Sequence, residues 1–129
     1  MIKVYISKQG NFAVGTSKIK KSLTDLLLSE GIQSVADVSV PIVGEKKMLA
    51  LAKKYLNEKD TLHNVLSFPF LEAKDMFVEP HDNLIHLEEI VICYQKVVEE
   101  AQKEKKLIDE KAIEVVNHGA LHLLGKHHE

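Results

Sequence analysis

A chain of 129 residues, 45% hydrophobic and 28% charged, with six Gly and three Pro, has the composition of one globular domain; collagen-like, disordered and low-complexity readings are excluded. A net charge of −2 argues against a protein that coats nucleic acid non-specifically, and all seventeen cations are lysines, so any phosphate would meet ammonium point charges without guanidinium forks. The one cysteine, Cys93, excludes an intrachain disulfide framework and Cys-only zinc sites, and no apolar run approaches the ~20 residues of a membrane span; the sequence reads as soluble and cytoplasmic, with no membrane partner.

Ile2, Val4 and Ile6 alternate with Lys3, Tyr5 and Ser7, the period of a half-buried strand, which a turn around Gly10 and Gly15 closes. Thr16 or Ser17 is predicted to cap a helix whose apolar positions Ile19, Leu23, Leu26 and Leu27 fall at i, i+4, i+7 and i+8, and Gly31 stands where a C-terminal glycine belongs. Period two returns at Val38, Val40 and Ile42. Gly44 opens a second helix with Met48, Leu51, Ala52, Tyr55 and Leu56 as one stripe, flanked by Lys46, Lys47, Lys53 and Lys54. Residues 64–70 read as a strand, with Pro69 confined to a sheet edge or a strand terminus, and residues 76–83 as a loop.

From Ile90 onward the pattern fits two structures. Ile90, Cys93, Tyr94, Val97, Val98 and Ala101 trace a helical stripe, while Ile90, Val91 and Ile92 suit a buried strand. Residues 99–106, rich in Lys and Glu, read as a solvated helix end, and Asp109 as the cap of a last helix over 110–125. That helix, with Ala112, Ile113, Val115, Val116, Ala120, Leu121, Leu123 and Leu124, is apolar nearly all round, which predicts a central position with no wet face. Strands alternating with helices and ending in helices favour one α/β or α+β domain over 1–129 with a small sheet.

Four of the seven histidines fall in the last twelve residues. His118 and His122, at i and i+4, share one helix face a turn apart, the separation two imidazoles need to meet one ion at about 2.0 to 2.1 Å. Gly125 can take the left-handed conformation that turns the chain back, and the spacing favours His128 over His127 as third ligand. His-x₃-His-x₂-Gly-x₂-His is the zinc-ligand spacing of the metzincin peptidases, but the position of their general-base glutamate is Gly119, which exchanges no proton; peptidase chemistry is disfavoured while the ligand geometry survives. Burying two imidazoles on such a helix without partners would cost free energy, which weighs for a metal over core histidines.

Residues 118–128 resemble the signature His-Gly-x-Leu-His-Leu-x-Gly-Tyr-Asp-His of the YbeY family of bacterial endoribonucleases and rRNA maturation factors, agreeing at His118, Gly119, Leu121, His122, Leu123, Gly125 and His128. Asn64-Val65-Leu66-Ser67-Phe68-Pro69 resembles the family's Thr-Asp-Val-Leu-Ser-Phe-Pro block, and residues 87–93 its Leu-Gly-Asp-Ile-Val-Ile-Cys block. The resemblance implies an α+β fold, a small mixed four-stranded sheet with about five surrounding helices and a central C-terminal helix carrying the ligands. It implies one Zn²⁺ held by His118, His122 and His128, and a strand followed by a helix from Ile90. It also implies single-strand-specific RNA hydrolysis in 16S rRNA 3′-end maturation and late ribosome quality control, with single-stranded rRNA and the ribosome or its small subunit as partners.

Departures mark where that chemistry would differ. The family's Tyr-Asp is Lys126-His127 here, its Gly-Asp is Glu88-Glu89, and the Asp of its strand block is Asn64. An arginine that members carry shortly before that strand has no counterpart; Lys59 is the candidate phosphate contact, against the plainer reading of a surface lysine. No general base is assigned: His63 and Ser67 are candidates for that task, or for packing and turn roles. The lysine sets 18/20/21 and 46/47/53/54 are the clusters that could line an RNA cleft. Two rivals remain at this level, a metallopeptidase and a non-catalytic ribosome-assembly factor with a structural zinc.

Overall fold

The structure, a computed structural model, describes residues 2–31, 36–69 and 86–124. Its elements in chain order are β1 (Ile2–Lys8), α1 (Thr16–Ser29), β2 (Ala36–Val43), α2 (Glu45–Leu56), β3 (Val65–Pro69), β4 (His86–Cys93), α3 (Tyr94–Glu104) and α4 (Ile108–Leu123). The described residues thus hold four helices where about five were expected. The loop predicted over 76–83 lies outside the described residues.

The strands form one mixed sheet in the order β1-β2-β4-β3, with β1, β2 and β4 parallel and β3 antiparallel to β4. This is the α+β arrangement that was expected. Val38, Val40, Ile42, Ile90 and Ile92 turn to one face, against Leu23 of α1, Val97 of α3 and Val116 of α4. Val43, Val91, Cys93, Leu66 and Phe68 turn to the other, against Met48, Leu51 and Ala52 of α2. Strand β4 lies inside the sheet with helices on both faces, so Ile90 through Cys93 are all buried and the period of two is erased. That is why periodicity could not separate strand from helix there. β3 is an edge strand with Pro69 at its end, where a residue without an N–H costs no ladder bond.

Two caps differ from expectation. The N-cap of α1 is Gly15, not Thr16 or Ser17, and its N–H donates to Asp109 Oδ1 at 2.8 Å across 94 positions of sequence. Asp109 therefore does not cap its own helix. The N-cap of α4 is Leu107, whose N–H is accepted by Glu110 at 3.1 Å, and Asp109 and Glu110 put two acids in the first turn, where the helix dipole favours them. Gly31, with φ of 89°, does end α1 in the left-handed conformation.

The last helix also has a wet face, against the expectation of none. Glu110, Glu114, His118 and His122, every fourth residue, are exposed, while Ala112, Val115, Val116 and Ala120 are buried. The apolar count concealed a polar stripe only one residue wide. Leu56, expected on the buried stripe of α2, is 43% exposed and borders the cleft described next.

Candidate metal centre

Helix α4 crosses edge strand β3, and its polar stripe carries His118 and His122 out at that margin of the sheet. The two ring centroids are 5.1 Å apart with the planes inclined at 62°. Two imidazoles bound to one tetrahedral ion at about 2.0 to 2.1 Å have their centroids about 5 Å apart, so the pair fits a shared ion in both spacing and donor type. His128, the expected third ligand, its neighbour His127 and the Gly125 turn lie outside the described residues. Among the described residues no three His, Cys, Asp or Glu side chains gather at one point.

Both histidines open onto a cleft of about 490 Å³. Its walls are Leu56 at the end of α2, His63 in the α2–β3 connection, Val65 and Ser67 of β3, and Gly119. Gly119 lets α4 approach the sheet: a Cβ there would stand 2.8 Å from Ser67 Oγ and 3.0 Å from both Ile90 Cγ2 and Val65 Cγ2. The Ser67 hydroxyl donates to the Gly119 carbonyl at 3.2 Å, tying strand to helix. Gly119 lacks the metzincin glutamate but matches the glycine of the family signature, and the structure gives the position a packing role that glutamate could not fill.

His63 and Ser67 are thus brought to the histidine cleft, and they differ in state. Ser67 is bonded into the scaffold, whereas His63 is 29% exposed and its Nε2 lies 2.6 Å from Glu58 Oε1. Asn57 and Asp60, with φ of 57° and 61°, curl the connection so that Glu58 and His63 meet; Asn and Asp tolerate this left-handed backbone better than most residues. Nothing in the sequence pattern singled out Glu58. Two left-handed residues are not visible from periodicity.

Lys59 is exposed in a neighbouring groove of about 380 Å³, with Lys53, Glu58 and Asp60, and is not among the residues of the histidine cleft. The lysine sets are separated. Lys18, Lys20 and Lys21 ride on α1, which leans on β1 at the opposite margin of the sheet, while Lys46, Lys47, Lys53 and Lys54 ride on α2, whose last residue borders the cleft.

One further lysine lies close by and is committed elsewhere. Lys111, buried on α4, shares a depression with Asn64 and His118, but its ammonium contacts Glu104 at 3.0 Å and Glu114 at 3.2 Å. Burial alone would lower its pKa; the hydrogen-bonded carboxylates outweigh that and hold it above the ordinary lysine value. Lys106 joins the same carboxylates, and their pKa values are lowered, first by Lys111 for Glu104 and first by Lys106 for Glu114. The Asn64 amide donates to Glu100 at 2.9 Å. An aspartate there, as in the family block, would place two carboxylates in contact, so this departure matches Glu100.

A family model described as "Endoribonuclease YbeY" matches residues 5–129. Relatives named Endoribonuclease YbeY include one from Hydrogenovibrio crunogenus, 34% identical over 79% of this chain and 62% of its own length. Another from Thermodesulfovibrio yellowstonii is 40% identical over 71% and 54%, and one from Macrococcus caseolyticus 34% identical over 86% and 71%. The chain therefore spans about half to two thirds of the first two relatives' lengths. A solution structure of a Thermotoga maritima protein is similar at a TM-score of 0.59 and 26% identity, over 98% of this chain and 75% of that one.

Proposed function

Because this chain belongs to the YbeY endoribonuclease family, we propose that it is a zinc-dependent, single-strand-specific endoribonuclease of the cytoplasm. Its substrate would be rRNA, in 16S 3′-end maturation and late quality control on the ribosome or its small subunit. The observation that supports this reading best is the His118–His122 pair, spaced for one ion and facing a cleft at the open margin of the sheet. No helix among the described residues is long and apolar enough to cross a membrane.

His118 and His122, with His128 as third donor, would hold one Zn²⁺ and leave a coordination place open. Zinc so held supplies Lewis-acid polarisation of a phosphoryl oxygen and a hydrolytic nucleophile at neutral pH. The chain's own residues do the rest. Gly119 and Ser67 fix α4 against the strand so that the imidazoles keep their spacing. Lys53 and Lys59, in the groove with Glu58, would draw the RNA backbone past the cleft as point charges.

Elemental analysis and RNA cleavage on the same preparations test the reading. The wild type is expected to carry about one zinc per chain and to cut a single-stranded RNA, with both lost in His118→Ala and in His122→Ala. Chelation should leave a folded, inactive domain; loss of the fold would instead mark the zinc as structural. Undiminished RNA cleavage in His118→Ala would overturn the proposal.

A further inference from the structure

Hydrolysis of a phosphodiester needs a group that takes a proton from the attacking water, and Gly119 leaves unfilled the place where the same ligand spacing elsewhere carries a glutamate. Most polar side chains bordering the cleft are already committed. Ser67 donates to the Gly119 carbonyl, Asn64 to Glu100, and His118 and His122 are the candidate metal ligands of the reading above. Lys111, in the adjoining depression, is held by Glu104 and Glu114.

His63 stands apart. A carboxylate only accepts hydrogen bonds, so the 2.6 Å contact with Glu58 Oε1 puts a proton on Nε2 and makes Nδ1 of the neutral ring the acceptor. Glu58 is anchored in turn, its N–H donating to the Ala52 carbonyl at 3.3 Å where α2 ends. A base held by a carboxylate that fixes its tautomer is the arrangement that hydrolytic sites use to activate a nucleophile.

We propose that His63, held by Glu58, is the proton acceptor for the water that cleaves RNA in the cleft of His118 and His122; this rests on the nuclease reading above. As the water oxygen bonds to phosphorus, one of its protons passes to His63 Nδ1. The ester P–O bond breaks with its electron pair on the departing ribose oxygen, which takes up a proton from solvent water. One product ends in a phosphomonoester and the other in a hydroxyl, and His63 returns its proton to solvent. Glu58 is a positioning residue, since it acts only through the ring.

Single-turnover cleavage of a single-stranded RNA by His63→Gln, His63→Gly, Glu58→Gln and Glu58→Asp tests this, with zinc content and thermal midpoint measured on each. The rate in His63→Gln is expected to fall about 100-fold or more, the usual scale of a lost general base, with zinc content and RNA affinity unchanged. Added imidazole should restore part of the rate to His63→Gly and none to the wild type, and Glu58→Asp should recover more than Glu58→Gln. A structural role for the pair would lower the thermal midpoint and show no imidazole rescue, which overturns the assignment. Wild-type rates in His63→Gln also overturn it and leave the nuclease reading standing, whereas a wild type that cuts no RNA defeats that reading itself.

Discussion

Glu89 brings a carboxyl group into the interior of the sheet, opposite Ser39 and one diagonal from Asp37 on the neighbouring strand. Its Oε1 is buried without a hydrogen-bond partner among the described residues. Burial first, and the nearby Asp37 second, raise its pKa to about 7 from an ordinary value of 4.5. Between those two values the folded protein keeps a proton that the unfolded chain has released, so stability is full below about pH 4.5 and declines by about 1.4 kcal/mol per pH unit until about pH 7. Glu89→Gln, which keeps the shape and does not titrate, is expected to exceed the wild type by roughly 3 kcal/mol at pH 8 and to match it near pH 4.5. Urea midpoints across that range measure the difference; a gap that does not vary with pH would contradict the account.

Helix α4 carries the two described residues of the candidate site, His118 and His122, and it approaches the sheet closely. An interior helical glycine ordinarily costs about 1 kcal/mol relative to alanine, so Gly→Ala should stabilise. At Gly119 the sign reverses, because the added carbon would meet Ser67, Ile90 and Val65 at 2.8 to 3.0 Å. Gly119→Ala is expected to destabilise by about 1 to 3 kcal/mol, the usual cost of overpacking, and to weaken zinc retention by shifting the turn between the two histidines. Denaturant midpoints together with metal content check both effects. A more stable Gly119→Ala would mean that α4 does not seat this closely. The Gly15–Asp109 bond and the 3.0 Å bond from the Asn117 amide to Ser22 lock the same helix to α1.

Over the whole molecule, the net charge of −2 offers no general attraction to RNA, so the RNA binding proposed above would have to come from where the lysines are placed. Lys53 and Lys59 line the groove that includes Glu58, the hydrogen-bond partner of His63 in the cleft, and the lysines on α1 lie toward the other margin of the sheet. Affinity for a single-stranded RNA is expected to fall as salt rises. Lys53→Gln with Lys59→Gln should flatten the log–log slope by about 1.4, from about 0.7 per phosphate contact, while the same change at Lys18, Lys20 and Lys21 leaves it in place. Filter binding from low to moderate salt gives these slopes, and a salt-independent affinity would refute the electrostatic picture.

Covalent geometry makes some of this legible from sequence alone. A helix places residues four apart on one face whatever surrounds it, so the His118–His122 pair was readable before any fold was known, as were β1, β2, α1 and α2 from their periods. The ordered motif blocks carried the family. What periodicity left open were relations between residues far apart in the chain or freed from alternation. A strand buried on both faces loses its alternation, so periodicity could not place Ile90 and only the family resemblance pointed to the strand and helix that β4 and α3 form; only the approach of α4 to the sheet gave Gly119 its role; and only a turn with two left-handed residues set Glu58 against His63 at the cleft. Asp109 went to Gly15 because a cap depends on which N–H tertiary packing brings near, and chain spacing does not encode that.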